Sequence, residues 1–362
     1  MKIATVFSGI GAVEQALLKL NIPLDIVFAC DTGERYIDIN EEEVKKHISN
    51  MSIDEQRLYV RNLYDLSKKK NFVKQTYFAN YHISENRWFD DIRFINGNAF
   101  KNQVDLFVGG SPCQSFSIIG KRAGLDDARG TLFYEYARLI KEMEPKVFIY
   151  ENVPGMLNHD KGNTWKVIKE VFENLGYSIF YDVLNAKDYG IPQDRKRLFV
   201  VGFKEDVSCF KFPEPLPLNK TAFDFLESGD INPRHYLGKK GFEFVTNPKY
   251  KARARVNSKI IQTQKANQQF NWNGDFIFEP ISHITNPDVL SRAYVGIYNN
   301  QKGVIRQMTY RECLRLMGFP DTFKIVVPNV PAYRQAGNSI VVNVLENILK
   351  EILKVVDLDG KN

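Results

Sequence analysis

The sequence predicts an α/β protein: a mostly parallel sheet with helices, joined to a second, smaller domain that is irregular and partly β. Three observations carry this. Up to Phe203, short apolar runs alternate with helical patterns, as in βα units whose strands lie parallel. The first apolar run ends in Phe7-Ser8-Gly9-Ile10-Gly11 and opens a helical pattern, the strand–glycine–helix order of an open α/β sheet. Beyond Phe203, the prolines Pro213, Pro215 and Pro217 mark a linker, and the chain turns polar and loses any sustained helical period.

Taken in order, strands are expected at 3–7, 26–30, 92–95, 104–108, 146–150, 178–184 and 197–203, and helices at 13–20, 131–143 and 164–175. The charged stretch 41–88, with its Lys68-Lys69-Lys70 run, interrupts the alternation and reads as a helical insertion after the second strand. A helix at 309–317 is stopped by Gly318-Phe319-Pro320. A last helix, at 339–355, carries Val341, Val344, Leu345, Ile348 and Ile352 at spacings of three and four. The expected plan is a first domain over 1–204, a second over 205–301, and a return to the first over 302–362.

Composition excludes several classes. With 44% hydrophobic and 25% charged residues the 362-residue chain sits in the ordinary soluble range. No apolar run approaches the roughly 20 residues of a membrane span, and the N-terminus lacks a signal-peptide layout, so a cytoplasmic protein without membrane contact is expected. Cys30, Cys113, Cys209 and Cys313 lie far apart with no CxxC pair, which argues against a disulfide framework or a metal site. Cys30, Cys209 and Cys313 read as small buried hydrophobes.

Charge is unevenly spread. Between Arg234 and Lys265 nine basic residues, among them Lys239, Lys240, Lys251, Arg253 and Arg255, face one acid, Glu243. That local +8 exceeds the whole-chain +6. Interleaved aromatic and amide side chains favour a nucleic-acid surface over a merely solvated face.

The glycine loop suggests a nucleotide-like ligand, with Asp31 at the end of the second strand available to ribose hydroxyls. A dinucleotide fingerprint would want a third glycine where Glu14 stands, so an adenosine cofactor without phosphates fits better. A tight turn that serves packing alone is the plain alternative. Gly109-Gly110-Ser111-Pro112-Cys113-Gln114-Ser115-Phe116-Ser117 follows the strand at 104–108, which puts a thiol at the carboxyl end of a parallel strand. Spacing alone leaves an inert cysteine and a nucleophile equally open.

The segment from Gly110 to Ser117, followed by Gly120-Lys121 and Asp127-Ala128-Arg129-Gly130-Thr131-Leu132-Phe133, resembles the nucleophile loop of the DNA (cytosine-5) methyltransferases, notably those of bacterial restriction–modification systems. Further blocks resemble that family's in order: Phe7 to Gly11, Glu151-Asn152-Val153, Gln193-Asp194-Arg195-Lys196-Arg197, Arg311 to Pro320, and Gln335 to Ser339.

The resemblance implies a Rossmann-like S-adenosylmethionine-dependent methyltransferase fold, with 205–301 in the place of the target-recognition domain. Its chemistry follows from the poor nucleophilicity of cytosine carbon 5. A thiolate, here Cys113, adds to carbon 6 and makes the ring an enamine whose carbon 5 can take the sulfonium methyl. Glu151 is implied at ring nitrogen 3 and the exocyclic amine, kept protonated at least transiently by burial. Arg195 and Arg197, two apart and so facing the same way on a strand, are implied near the ring, the second on its carbonyl oxygen. The cytosine must leave the stack to be reached, so the loop from Gln114, through Ser117, is expected to close over it, with Ile119 filling the vacancy.

For the cofactor, S-adenosylmethionine (product S-adenosylhomocysteine), the resemblance implies Phe7, Gly9, Gly11, Asp31, Pro112, Leu132 and Asn338, with Asn98 where an adenine-binding Asp is common. Double-stranded DNA is the implied substrate, a restriction endonuclease the genetic partner, and a monomer in a prokaryotic cytoplasm the expected form. A transfer-RNA methyltransferase is the nearest alternative, but its Cys-Phe-Thr signature is absent. A catalytically dead DNA-binding regulator has no need of Cys113, Glu151 and the arginine pair together, and a nicotinamide oxidoreductase needs the missing glycine.

Overall fold

Seven strands form the main sheet of the computed structural model, which describes residues 1–112, 132–267 and 272–358. They are β1 Lys2–Val6, β2 Asp25–Cys30, β3 Trp88–Phe89, β4 Leu106–Gly109, β5 Val147–Asn152, β6 Ser178–Asn185 and, after the short β7 Gln193–Asp194 of another sheet, β8 Lys196–Phe203. Their order is β3-β2-β1-β4-β5-β8-β6. From β3 to β5 every pairing is parallel, and β8 runs antiparallel to β5. The central strands are apolar throughout because both faces are covered: Ile3, Ala4, Leu106, Phe107, Val147, Phe148, Ile149 and Tyr150 have no exposed surface.

Helices α1 Ala12–Lys19, α5 Leu132–Met143 and α6 Asn163–Asn174 answer the expected helical patterns. Phe133, Tyr136, Leu139, Ile140 and Phe172 pack into one core with Phe107, Phe148 and Tyr150. The insertion is helical: α2 Glu41–Ile48, α3 Ile53–Asp65 and α4 Phe72–Asn80. Each helix starts at a side-chain cap. Asn40 accepts from the Glu42 and Glu43 amides, Ser52 forms a capping box with Glu55, and Asn71 accepts from the Lys74 amide. One expected strand is not there. Ile92–Phe94 is a short 3-10 turn begun by Asp91, whose side chain accepts from the Arg93 amide, and the strand lies earlier, at β3.

Two compact units partition the chain: Met1–Leu184 with Lys196–Glu214 and Leu345–Asn362, and Asn185–Arg195 with Pro215–Val344. The second holds a sheet of order β12-β13-β11-β9, built from β9 Ala254–Val256, β11 Gly274–Pro280, β12 Gly296–Tyr298 and β13 Gln301–Gln307, while β10 Ile261–Gln262 pairs with β7. Leu237, Phe242, Val245, Ala254, Phe276, Phe278 and Ile305 form its core. It contains helices α7 Lys239–Thr246, α8 Pro287–Arg292, α9 Tyr310–Arg315 and α10 Asn329–Asn338, and α11 Val342–Leu353 carries the chain back to the first unit. Of these, α9 and α11 answer expected helices, whereas α7 and α10 were not legible. No helix among the described residues is long and apolar enough to cross a membrane.

Candidate active site

Parallel strands place their carboxyl ends on one edge of the sheet. Along that edge the Phe7–Gly11 loop follows β1, Asp31 follows β2, Ser111 and Pro112 follow β4, and Glu151 lies near the end of β5. The antiparallel β8 starts where β5 ends, with Asn152 opposite Leu198, so Arg197 arrives at the same edge. Topology therefore assembles residues separated by nearly two hundred positions in the chain.

In the glycine loop, Phe7, Gly9 and Gly11 all have positive φ, at 53°, 54° and 80°. The Asp31 carboxylate holds this turn: Oδ2 accepts from the Gly9 amide at 2.9 Å and Oδ1 from the Gly33 amide at 2.8 Å. Burial raises the Asp31 carboxyl above its usual range, against the lowering effect of the Gly33 and Gly9 amides. Ser8 ties the loop to β2, its hydroxyl donating to the Cys30 carbonyl at 3.1 Å and accepting from the Cys30 amide at 3.0 Å. Glu14, in the first turn of α1, is buried, and its carboxyl is pushed up to about 7 by that burial. A helix that begins with a buried acid is a poor seat for a pyrophosphate. The loop fits an adenosine-type group without phosphates.

Around the end of β5, the Arg197 guanidinium Nε stands 3.1 Å from Glu151 Oε1, each side chain less than a fifth exposed. Glu151 thus sits largely buried against a guanidinium. Gly110 lets the turn after β4 lie directly against the end of β5, because a Cβ there would run into the Glu151 main chain. The turn that leads to Cys113 is pinned from β5: Asn152 Nδ2 donates to the Ser111 carbonyl at 2.9 Å and to the Tyr150 hydroxyl at 3.0 Å, and that hydroxyl lies 2.7 Å from Ser111 Oγ. Cys113, Gln114, Ser117 and Ile119 themselves lie outside the described residues.

The pattern of the C-5 cytosine-specific DNA methylases matches residues 56–354 of this chain. The chain belongs to that family. Among curated relatives, the type II methyltransferase M.SsoII of Shigella sonnei is 36% identical over 299 residues, covering 80% of this chain and 74% of its own. M.HhaI of Haemophilus parahaemolyticus is 36% identical over 269 residues, covering 72% and 79%. Of solved structures, the S. pombe Dnmt2 methyltransferase superposes with a TM-score of 0.66 over 98% of both chains, at 17% identity, which speaks for the fold alone. The enzyme is therefore a DNA cytosine-5 methylase, with a methyl donor of the S-adenosylmethionine kind.

The remaining expected residues of this methylase are distributed as follows. Arg195 does not share the surroundings of Arg197. It precedes β8, is 3% exposed, and its guanidinium donates to the carbonyls of Gln264 at 2.8 Å, Gly337 at 3.1 Å and Ser339 at 2.8 Å. It is a structural bracket of the second unit, which corrects the expectation of two arginines facing the ring. Its neighbour Gln193 has no role readable from sequence, yet its side chain donates to the Leu316 carbonyl at 2.8 Å and accepts from the Gln264 amide at 3.0 Å. Asn98 is exposed in the 3-10 turn Gly97–Phe100, away from the strand end, where Asp90 and Asp91 follow β3 directly. Both are buried, Asp90 paired with Arg35 and Arg61, and Asp91 accepting from the Tyr64 hydroxyl at 2.7 Å. Leu132 opens α5 half-buried, while Pro112 and Asn338 are exposed. Cys30 and Cys313 are buried as expected, but Cys209 is exposed.

All nine basic residues between Arg234 and Lys265 are exposed on the second unit. Lys239 and Lys240 begin α7, at the helix end where cations are disfavoured by the peptide dipoles. Arg253 lies over the Phe244 ring, which also stacks on Tyr250.

Proposed function

We propose that this methylase acts on one specific double-stranded DNA sequence and that Cys113 is its nucleophile. The pairing of Glu151 with Arg197, beside the Gly110 turn that leads into Cys113, is the observation that carries the reading. Cys113 adds to carbon 6 of an extruded cytosine, which raises the electron density at carbon 5. Glu151, at ring nitrogen 3 and the amine, offsets the charge that develops in the ring, and Arg197 holds both Glu151 and the carbonyl oxygen of the base. The donor we assign is S-adenosylmethionine, which when bound supplies a methyl group on a sulfonium centre. Phe7, Gly9, Gly11 and Asp31 hold it, with Pro112, Leu132 and Asn338 as further contacts. Removal of the carbon 5 proton and expulsion of the Cys113 thiolate then restore the aromatic ring and the enzyme.

The second unit serves as the target reader. Its exposed lysines and arginines supply phosphate contacts that position the duplex, and the cations crowded at the start of α7 gain most from a polyanion. Because the curated relatives are type II methyltransferases, we assign the enzyme to a prokaryotic cytoplasm, as a monomer that protects host DNA from a cognate endonuclease. Two experiments test this. DNA with 5-fluorocytosine at the target should trap a covalent complex with the wild type and none with Cys113→Ala, since fluorine blocks loss of the carbon 5 substituent. An active enzyme that forms no adduct would remove the covalent route. Bisulfite sequencing of DNA from an expressing host should show one methylated motif, and unmethylated DNA would remove the substrate assignment.

A further inference from the structure

The insertion takes no part in the chemistry above, yet its last helix touches both loops assigned to the methyl donor. Tyr81, which follows α4 directly, is 6% exposed. Its hydroxyl donates to the Gly11 carbonyl at 2.6 Å, with the Ile10 carbonyl at 3.0 Å, and its ring fills the space that a Cβ on Gly11 would need. Asn71, the cap of α4, donates from Nδ2 to the Asp31 carbonyl at 3.0 Å and fills the space beside Gly33, whose amide holds the Asp31 carboxylate. Between them the buried Tyr77 donates to Glu14 Oε1 at 2.5 Å. The Thr5 hydroxyl donates to the same oxygen at 3.3 Å and lies 2.8 Å from the Ser8 hydroxyl within the loop.

A turn with positive φ at a residue as bulky as Phe7 persists only where its surroundings over-determine it. Left to itself, such a loop would have to be ordered by the ligand, and the lost entropy would weaken binding. Helix α4 removes that cost by gripping the loop from one side and Asp31 from the other. We propose that Tyr81, Tyr77 and Asn71 are positioning residues for the methyl donor, so that the insertion sets donor affinity by holding the glycine loop and Asp31 in their binding shape. This rests on the reading of Phe7–Gly11 and Asp31 as the donor site.

The test uses the full-length chain with Tyr81→Phe, which removes one hydroxyl; Asn71→Ser, which keeps a capping oxygen; and Asp31→Ala as a marker of the site itself. Binding of S-adenosylhomocysteine is titrated calorimetrically without DNA, and amide exchange of residues 8–12 is followed in the protein alone. Loss of one buried hydrogen bond should weaken binding about tenfold in Tyr81→Phe. Exchange at residues 10–12 should accelerate before any ligand is added, and KM for the donor should rise more than kcat falls. Asn71→Ser should move the same way and serves alone if Tyr81→Phe folds poorly. If Asp31→Ala loses binding while both other variants keep wild-type affinity and exchange, the inference is overturned and the donor site stands. If Asp31→Ala binds like the wild type, the donor site itself fails and takes the inference with it. A lowered Tm with unchanged affinity would reduce α4 to a packing element and equally overturn the proposal.

Discussion

Replacing Glu14 by glutamine should change how stability depends on pH, by an amount that follows from its surroundings. Glu14 is 1% exposed, and burial lifts its carboxyl from an ordinary 4.5 to about 7, opposed mainly by the hydrogen bond from Tyr77. Between those two values the unfolded chain has lost this proton and the native state keeps it. Native stability therefore falls as pH rises through that window, by about 1.4 kcal/mol per pH unit and about 3 kcal/mol in all, and stays lower above pH 7. His235 works in the opposite direction. Its burial, then Arg234 and Arg306, depress the imidazole from 6.5 to about 4, so stability rises with pH between those values. The two slopes largely cancel below pH 6.5, and the wild-type profile alone is uninformative. The difference between Glu14→Gln and wild type isolates Glu14, because His235 and Asp31 are common to both. Urea titrations at pH 5, 6, 7 and 8 can follow tryptophan emission, since Trp88 packs 5.3 Å from the Tyr77 ring beside the substituted carboxyl. The variant should gain on the wild type by about 2.5 kcal/mol between pH 5 and pH 8, the part of the window these titrations cover. A difference that stays flat from pH 5 to 8 would refute the argument.

Other outcomes follow from single side chains or small groups of them. Arg195→Lys removes a planar donor set that reaches three carbonyls and leaves a point charge that cannot, so unfolding should be easier by about 2–4 kcal/mol; an unchanged Tm would show that the bracket contributes nothing. Gly11→Ala combines a φ of 80° with a Cβ that overlaps the Tyr81 ring, and should cost more than about 1 kcal/mol while weakening donor binding; calorimetry on the purified variant checks both. Exchanging Lys239, Lys240, Lys251, Arg253 and Arg255 for glutamate should weaken DNA binding and flatten its salt dependence, by about 0.9 in logarithmic slope for each phosphate that is no longer neutralised. An unaltered slope would return these side chains to a solvated face.

Much of the sheet was legible because its inner strands are covered on both sides and so read as unbroken apolar runs, as at Leu106–Gly109 and Val147–Asn152. The same rule misled at 92–95. Ile92, Phe94 and Ile95 are buried, but as a turn capped by Asp91, and apolar content alone does not separate a buried turn from a buried strand. Helix α10 contains Pro331 and Gly337 and little apolar period, so its helicity comes from packing, not from propensity. At the site, the motif blocks singled out Glu151 and Arg197, which the sheet brings to within 3.1 Å of each other. They misled for Arg195, because side-chain alternation applies only within a strand and Arg195 stands just before one. The contacts of Tyr81 and Asn71 were out of reach, since the tyrosine meets a loop some seventy residues earlier in the chain and neither forms a local pattern.

Gln193 and Arg195 grip their unit almost wholly through main-chain atoms: the carbonyls of Leu316, Gln264, Gly337 and Ser339 and the amide of Gln264. A clasp of that kind is indifferent to which side chains the clasped segment carries. The side chains of Gln264, Leu316 and Ser339 can therefore change without loosening it, whereas Gly337 has no such freedom, because a Cβ there would run into the main chain of Lys265 and Ala266.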